Sequence, residues 1–173
     1  MHDPPGPERR PEVADPATAI RPARADEGSE LTELALAAKS HWGYVESFLE
    51  LARGDLTIDA ETIASASIFV LERGGRMVGF YGLVGNPPHG RLEWLFLEPD
   101  AIGHGYGRLL WDDAMKKARA AGFTELLIES DRYAEPFYLA MGATRIGATV
   151  SPVDGAPLPL LRIVVRGQSG RDA

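Results

Sequence analysis

The sequence predicts an α/β domain on a sheet of about seven strands, and three observations carry that reading. Short apolar or alternating runs of strand length recur from Ala19 to Arg166. Stretches with apolar residues every three or four positions interrupt them, as amphipathic helices do. The runs LFL (95–97) and LLI (126–128) are apolar at every position, as in strands covered on both faces.

The elements follow in order. AIRPA from Ala19 reads as a strand. Asp26 to Trp42 reads as a helix with Leu31, Leu34, Ala35 and Ala38 on one face, and Asp26 or Ser29 can cap it. Tyr44 to Ala52 reads as a second helix carrying Phe48, Leu49 and Leu51. Thr57 or Asp59 can start a third through ETIAS. SIFVLER and RMVGFYGLVG flank Gly74-Gly75, which predicts a hairpin. RLEWLFLEP is a strand closed by Pro99. RLLWDDAMKKARAAG is the clearest helix, with Leu110, Ala114, Ala118 and Ala121 in step. Its late Lys116, Lys117 and Arg119 suit the negative end of the helix dipole, and Gly122 suits the C-cap. FTELLIES then reads as a strand, AEPFYLAMG as a short helix ending at Gly142, and ATRIGATV and LPLLRIVVR as two last strands.

The 173 residues fit one domain, expected over 19–166, with a disordered leader over 1–18 and a disordered tail over 167–173. The balance of 18 Lys+Arg against 25 Asp+Glu gives a formal charge of −7. That disfavours nucleic acid and anionic membrane surfaces, which attract positive proteins. It leaves room for a small anionic ligand held by a few main-chain amides. Cysteine is absent, so there is no disulfide, no thiolate nucleophile and no Cys-based zinc site. His2, His41, His89 and His104 do not pair at metal-site spacing, so no metal is expected. No run approaches the length of a membrane helix. No membrane partner and a cytoplasmic location are the corresponding expectations.

The strand ending at Leu97 and the helix after Arg108 are joined by Ile102-Gly103-His104-Gly105-Tyr106-Gly107-Arg108. Glycines let amides turn inward, and a helix N-terminus adds partial positive charge. The bend therefore suits a phosphate. It is not a dinucleotide fingerprint, because the third glycine of G-x-G-x-x-G would fall on Arg108. No Gly-Lys-Ser/Thr triplet exists for a P-loop. A plain loop without a ligand is the competing reading.

Downstream lies Asp131-Arg132-Tyr133-Ala134-Glu135-Pro136-Phe137-Tyr138. The glycine loop, a helix, a strand and this second segment in that order resemble the GNAT superfamily of N-acetyltransferases. Ile102 stands where that family has Gln or Arg, and Asp131 where it has Asn. The resemblance implies a mixed, mostly antiparallel sheet with helices on both faces, splayed centrally to admit coenzyme A. It implies acetyl-CoA as co-substrate, with the pantetheine between the strands holding Trp94–Leu97 and Leu126–Ser130. Leu95, Phe96 and Leu97 would face the acetyl and pantetheine groups, and Gly103, His104, Gly105, Tyr106, Gly107 and Arg108 the pyrophosphate. Asp131 joins the donor set by its place in the second motif. KSHWGY also resembles a segment of one GNAT subgroup.

Amine acetylation needs a neutral amine, a polarised thioester oxygen and a proton for the departing thiolate. Without cysteine or a G-x-S-x-G elbow, direct attack in a ternary complex is expected. Glu93 is the candidate base, sharing strand parity with Leu95 and Leu97; an exposed strand-end carboxylate is the other reading. Tyr138 is the candidate acid, by its match to the family's Phe-Tyr; an aromatic packed under its helix is the other. The amide of Leu95 is the candidate oxyanion donor. His41, Trp42 and Tyr44 follow the first helix, where this fold lines its acceptor cleft, although Trp42 could simply close the core. The acceptor would be a small-molecule or peptide amine, the protein a monomer or homodimer. A coenzyme A-binding regulatory module without turnover is the alternative.

Overall fold

The structure is a computed structural model that describes residues 17–166. The leader expected over 1–18 lies outside them except for its last two residues, and Thr18 already opens the first strand. The tail expected over 167–173 lies outside them entirely.

In chain order the elements are β1 (Thr18–Pro22), α1 (Gly28–His41), α2 (Glu46–Leu56), α3 (Ala60–Ser65), β2 (Ser67–Arg73), β3 (Arg76–Asn86), β4 (His89–Leu97), α4 (Tyr106–Ala121), β5 (Glu125–Glu129), α5 (Glu135–Ala140), β6 (Thr144–Val150) and β7 (Pro157–Val164), with one 3-10 turn at Pro99–Ala101. The strands form one sheet in the order β1-β2-β3-β4-β5-β7-β6. Only β4 and β5 run parallel. The β2–β3 hairpin turns at Gly74 and Gly75, both at positive φ (58° and 77°), as a tight two-residue hairpin requires.

Each face of the sheet buries its own cluster. On one, Leu110, Trp111, Ala114 and Ala118 of α4 meet Tyr81, Leu92, Leu126, Ile128 and Tyr138. On the other, Leu31, Leu34 and Ala35 of α1 meet Ile68, Val70 and Phe80. The stripe expected on α1 is the buried one. Its expected caps are not used. Glu27 holds the N-cap position without a side-chain cap bond, and its carboxylate instead takes Arg21, at 2.5 Å, and the amide of Arg24. Asp59 does cap α3, accepting from the Thr62 amide at 2.8 Å.

α2 begins later than its apolar spacing suggests and leaves Leu51 69% exposed. Val45 before it is extended (φ −69°, ψ 155°), so the helix starts only at Glu46. In α4, Ala121 is exposed although Leu110, Ala114 and Ala118 are buried. Gly122 ends that helix at φ 91°.

One irregularity positions the site. β4 pairs with β5 only at His89, Gly90 and Arg91. Two residues on, the β3–β4 register shifts: Gly82 faces Trp94 and Leu83 faces Leu92, leaving Glu93 unmatched. Such a bulge bends and twists its strand. β4 then swings off β5, which stays on β7 through Glu129. The sheet is splayed there, and Leu95 and Leu97 are half-buried rather than covered on both faces.

Candidate active site

The splay opens a cleft of about 250 Å³. Its floor is Leu95, Phe96 and Leu97 of β4; Ile102 and Gly107 close one side, and Ala134, Phe137 and Tyr138 the other. Ala38, Lys39 and Trp42 reach in from α1 and the turn after it, and Asp131 and Tyr133 from the loop after β5. A wider, more open depression of about 400 Å³ between α1 and α3 is lined by Asp26, Ser29, Glu33 and Asp59. It adjoins neither the splayed strands nor the glycine turn.

The glycine turn stands at the head of α4. Gly103 and Gly105 take φ of 85° and 82°. Among the described residues, the amides from Gly103 to Arg108 make no hydrogen bond; the first in the helix is Leu109 to the Gly105 carbonyl. No acidic residue occupies the first turn. Six adjacent free amides at the positive end of a 16-residue helix suit a phosphate anion. A Cβ built on Gly107 would lie 3.4 Å from the Phe137 ring, so the chain runs close to the cleft wall. The Tyr106 side chain is buried in the core and Arg108 is exposed. Tyr106 can therefore serve an anion only by its amide. His104 is exposed, 6.2 Å from the Tyr106 ring.

Tyr138 sits on α5, 6% exposed, between Trp111 and Phe137 at 6.0 and 5.4 Å. Its hydroxyl makes no hydrogen bond among the described residues, yet it is not among their sealed, unpartnered atoms. The oxygen therefore keeps some accessible surface, and the residue lines the cleft. Burial, and after it the charge of Asp131, pushes the phenol well above its usual range.

Asp131 ties the two sides of the cleft together. Its Oδ2 accepts from Lys39 Nζ at 2.9 Å and from the Tyr44 hydroxyl at 2.6 Å; its Oδ1 accepts from the Tyr133 amide at 2.9 Å. Burial alone would raise this carboxyl. The hydrogen bonds from Lys39 and Tyr44, with the lysine's charge, outweigh burial and hold it below the usual aspartate range. Burial, and after it the same contact, pushes the Tyr44 phenol upward.

A family model described as the acetyltransferase (GNAT) family matches residues 29–143. The chain belongs to that family. Two curated relatives are each 33% identical to it. One is a mycothiol acetyltransferase of Thermomonospora curvata, over 89 residues, 49% of this chain and 30% of that protein. The other is the peptidyl-lysine N-acetyltransferase YjaB of Salmonella typhimurium, over 87 residues, 50% of this chain and 56% of that protein. The matched stretch thus spans less than two thirds of either relative. Among solved structures, a GCN5-related N-acetyltransferase from Rhodopseudomonas palustris superposes with a TM-score of 0.72 at 21% identity, covering 88% of this chain and 98% of its own. The PaiA N-acetyltransferase of Thermoplasma acidophilum, in complex with coenzyme A, gives 0.68 at 19%, covering 85% and 98%. These likenesses show the fold: a splayed, mostly antiparallel seven-stranded sheet with helices on both faces.

The residues singled out in the sequence divide by position. Leu95, Phe96, Leu97, Gly107, Asp131, Tyr138 and Trp42 line the cleft. Tyr44 stands behind Asp131, and His41 sets its ring against Trp42 at 5.0 Å. Glu93 is the bulge residue; its carboxylate pairs with Arg91, and it does not line the cleft. Sequence reasoning missed Lys39 and Tyr133. Lys39 reads as a helix-end cation, and its partner is 92 residues away. Tyr133 lies inside the second motif at a position the family pattern leaves open. No helix of the described residues is long and apolar enough to cross a membrane.

Proposed function

We propose that this protein transfers the acetyl group of acetyl-CoA to a primary amine by direct attack in a ternary complex. The observation that supports this best is one conjunction. An unpaired stretch of β4 and an unbonded tyrosine hydroxyl share one cleft with Gly107, through which a run of free amides at the head of α4 reaches it.

Each group has a part in the reading. The amides from Gly103 to Arg108 hold the pyrophosphate, and the open edge of β4 takes the pantetheine as a strand takes a peptide. The donor supplies an activated thioester carbon. The Leu95 amide donates to the carbonyl oxygen as its charge grows. Nitrogen forms a bond to the carbonyl carbon, the carbon–sulfur bond breaks, and the amine gives up one proton. A tyrosine phenol, near ~10 in water, is already protonated at neutral pH, and burial favours that form further. Tyr138 therefore has a proton for the sulfur. An alkyl thiol titrates near ~8.5, so complete transfer from so weak an acid is uphill, and the hydroxyl acts chiefly as a strong hydrogen bond to the departing thiolate. Glu93 takes the amine's proton through water, since its carboxylate pairs with Arg91 outside the cleft lining.

Thiol release across a panel of primary amines, with mass spectrometry of the amide, tests this reading. Acetyl-CoA should raise the thermal midpoint, and at least one amine should give thiol and amide in equal amounts. A raised midpoint without turnover on any amine would favour a coenzyme A-binding module instead.

A further inference from the structure

The cleft carries information about what the amine is attached to. Trp42 and Tyr133 lie at its rim with ring planes 5° apart and centroids 5.7 Å apart. They keep 40% and 38% of their surface exposed. A single exposed aromatic is ordinary, whereas a parallel pair rimming an apolar cavity is a candidate binding surface. The pair is held in place before anything binds. The Arg132 guanidinium sits 4.7 Å from the Tyr133 ring centroid and donates to its hydroxyl at 2.7 Å. The edge-on ring of His41 lies against Trp42. Rings already ordered lose little rotamer freedom on binding.

Charge narrows the choice. The charged residues lining the cleft are Lys39 and Asp131, and they pair with each other at 2.9 Å. Both oxygens of Asp131 are already engaged. A second ammonium on the acceptor would find no carboxylate there and would lose its hydration uncompensated. The volume, about 250 Å³ for donor tip and acceptor together, lies below the ordinary range for small-molecule sites.

Resting on the acetyl-transfer reading above, we propose that the acceptor is a small primary amine with an aromatic ring a few bonds from its nitrogen. The ring packs on Trp42 and Tyr133, and the nitrogen points past Lys39 toward Leu95 and Tyr138. Polyamines, and peptides presenting a lysine, are the disfavoured classes.

The test compares 2-phenylethylamine, spermidine and a short lysine-containing peptide by thiol release, and measures 2-phenylethylamine binding to the coenzyme A-loaded protein by calorimetry. The expected result is a kcat/KM for 2-phenylethylamine at least about tenfold above the other two, the scale of one aromatic contact plus its buried area. Trp42→Ala should weaken its calorimetric affinity and raise its KM by about tenfold, leaving KM for acetyl-CoA unchanged. Trp42→Phe should recover most of that loss. Preference for spermidine or the peptide, or an unchanged affinity in Trp42→Ala, overturns the inference while leaving acetyl transfer standing. Absence of thiol release from all three, with other amines active, also overturns it. Absence from every amine overturns acetyl transfer itself.

Discussion

The two sides of the cleft, proposed above to take the acetyl donor and the amine acceptor, are built by different means. The donor side is main chain: a strand edge freed by a bulge and amides freed at a helix start. The acceptor side is side chain: Lys39, Trp42 and Tyr44 reach across to Asp131 and Tyr133. Main-chain geometry is encoded locally, by glycines and a register shift, and tolerates change in nearby side chains. Side-chain geometry depends on partners roughly ninety residues apart, and one substitution can dissolve it. The donor side is thereby suited to a constant ligand and the acceptor side to a particular one.

The largest expected effect falls on the donor side, at Tyr138, the side chain proposed above to serve the departing sulfur. Tyr138→Phe keeps the ring and should lower kcat by about 10²–10³-fold, the scale of one lost donor to a developing anion, with KM for acetyl-CoA nearly unchanged. Wild-type kcat in that variant would return Tyr138 to core packing and make the donor side purely main chain.

Next comes the amide cradle. At a hundredfold excess over Kd, acetyl-CoA should stabilise the wild type by about 2.7 kcal/mol, read as a rise in Tm. Gly107→Glu should abolish the rise by placing a carboxylate where the pyrophosphate belongs. Gly107→Ala should retain much of it, because the added methyl meets the Phe137 ring at an ordinary 3.4 Å. Equal rises in wild type and Gly107→Glu would refute the cradle.

Asp131, expected from its motif in the donor set, is bonded to Lys39 and Tyr44, and Asp131→Asn probes that junction through stability. Losing charged hydrogen bonds from Lys39 and Tyr44 should cost about 2 kcal/mol at neutral pH, or roughly 4–8 °C in Tm for a domain of this size. The pH dependence follows from a carboxyl held below its usual value. Its contribution is complete above the ordinary aspartate range near ~4 and fades as pH falls through the lower folded value. The variant should therefore start less stable at pH 7 and show a flatter acid limb. Parallel acid limbs in wild type and variant would contradict this.

The smallest effect is expected at Glu93. Acting through water and beside Arg91, it should contribute about tenfold, below the usual range for a general base. Glu93→Gln should slow turnover near pH 7 and recover as rising pH enlarges the free-amine fraction. A pH–rate profile identical to wild type would leave the amine to lose its proton to bulk water.

How much of this was legible in the sequence follows the same division. The hairpin at Gly74-Gly75, the α4 stripe at Leu110, Ala114 and Ala118, its Gly122 cap and the glycine turn are local signals, and each sits where its residues indicate. The bulge at Glu93 was not legible: no glycine marks it on β4, and it follows from packing Leu92 and Leu95 into one core across a twisted strand. Leu51 misled because apolar spacing predicts burial only where a partner surface exists, and α2 packs chiefly on α1. Lys39 and Tyr133 were hidden because a long-range ion pair and a ring stack leave no periodicity.

The splay at β4 also bears on the order in which the protein is made. β5 shares three residue pairs with β4 and five with β7, and β7 lies between β5 and β6. The last strand of the described residues is thus an interior one. At synthesis rates of about 5–20 residues per second, the nascent chain passes through an interval in which β5 and β6 have emerged without the strand that joins them. Over that interval the edge of β5 that later takes β7 is bare and open to other chains. Because the splay leaves β5 only three residue pairs on β4, that strand depends on a segment made some thirty residues later for most of its pairing.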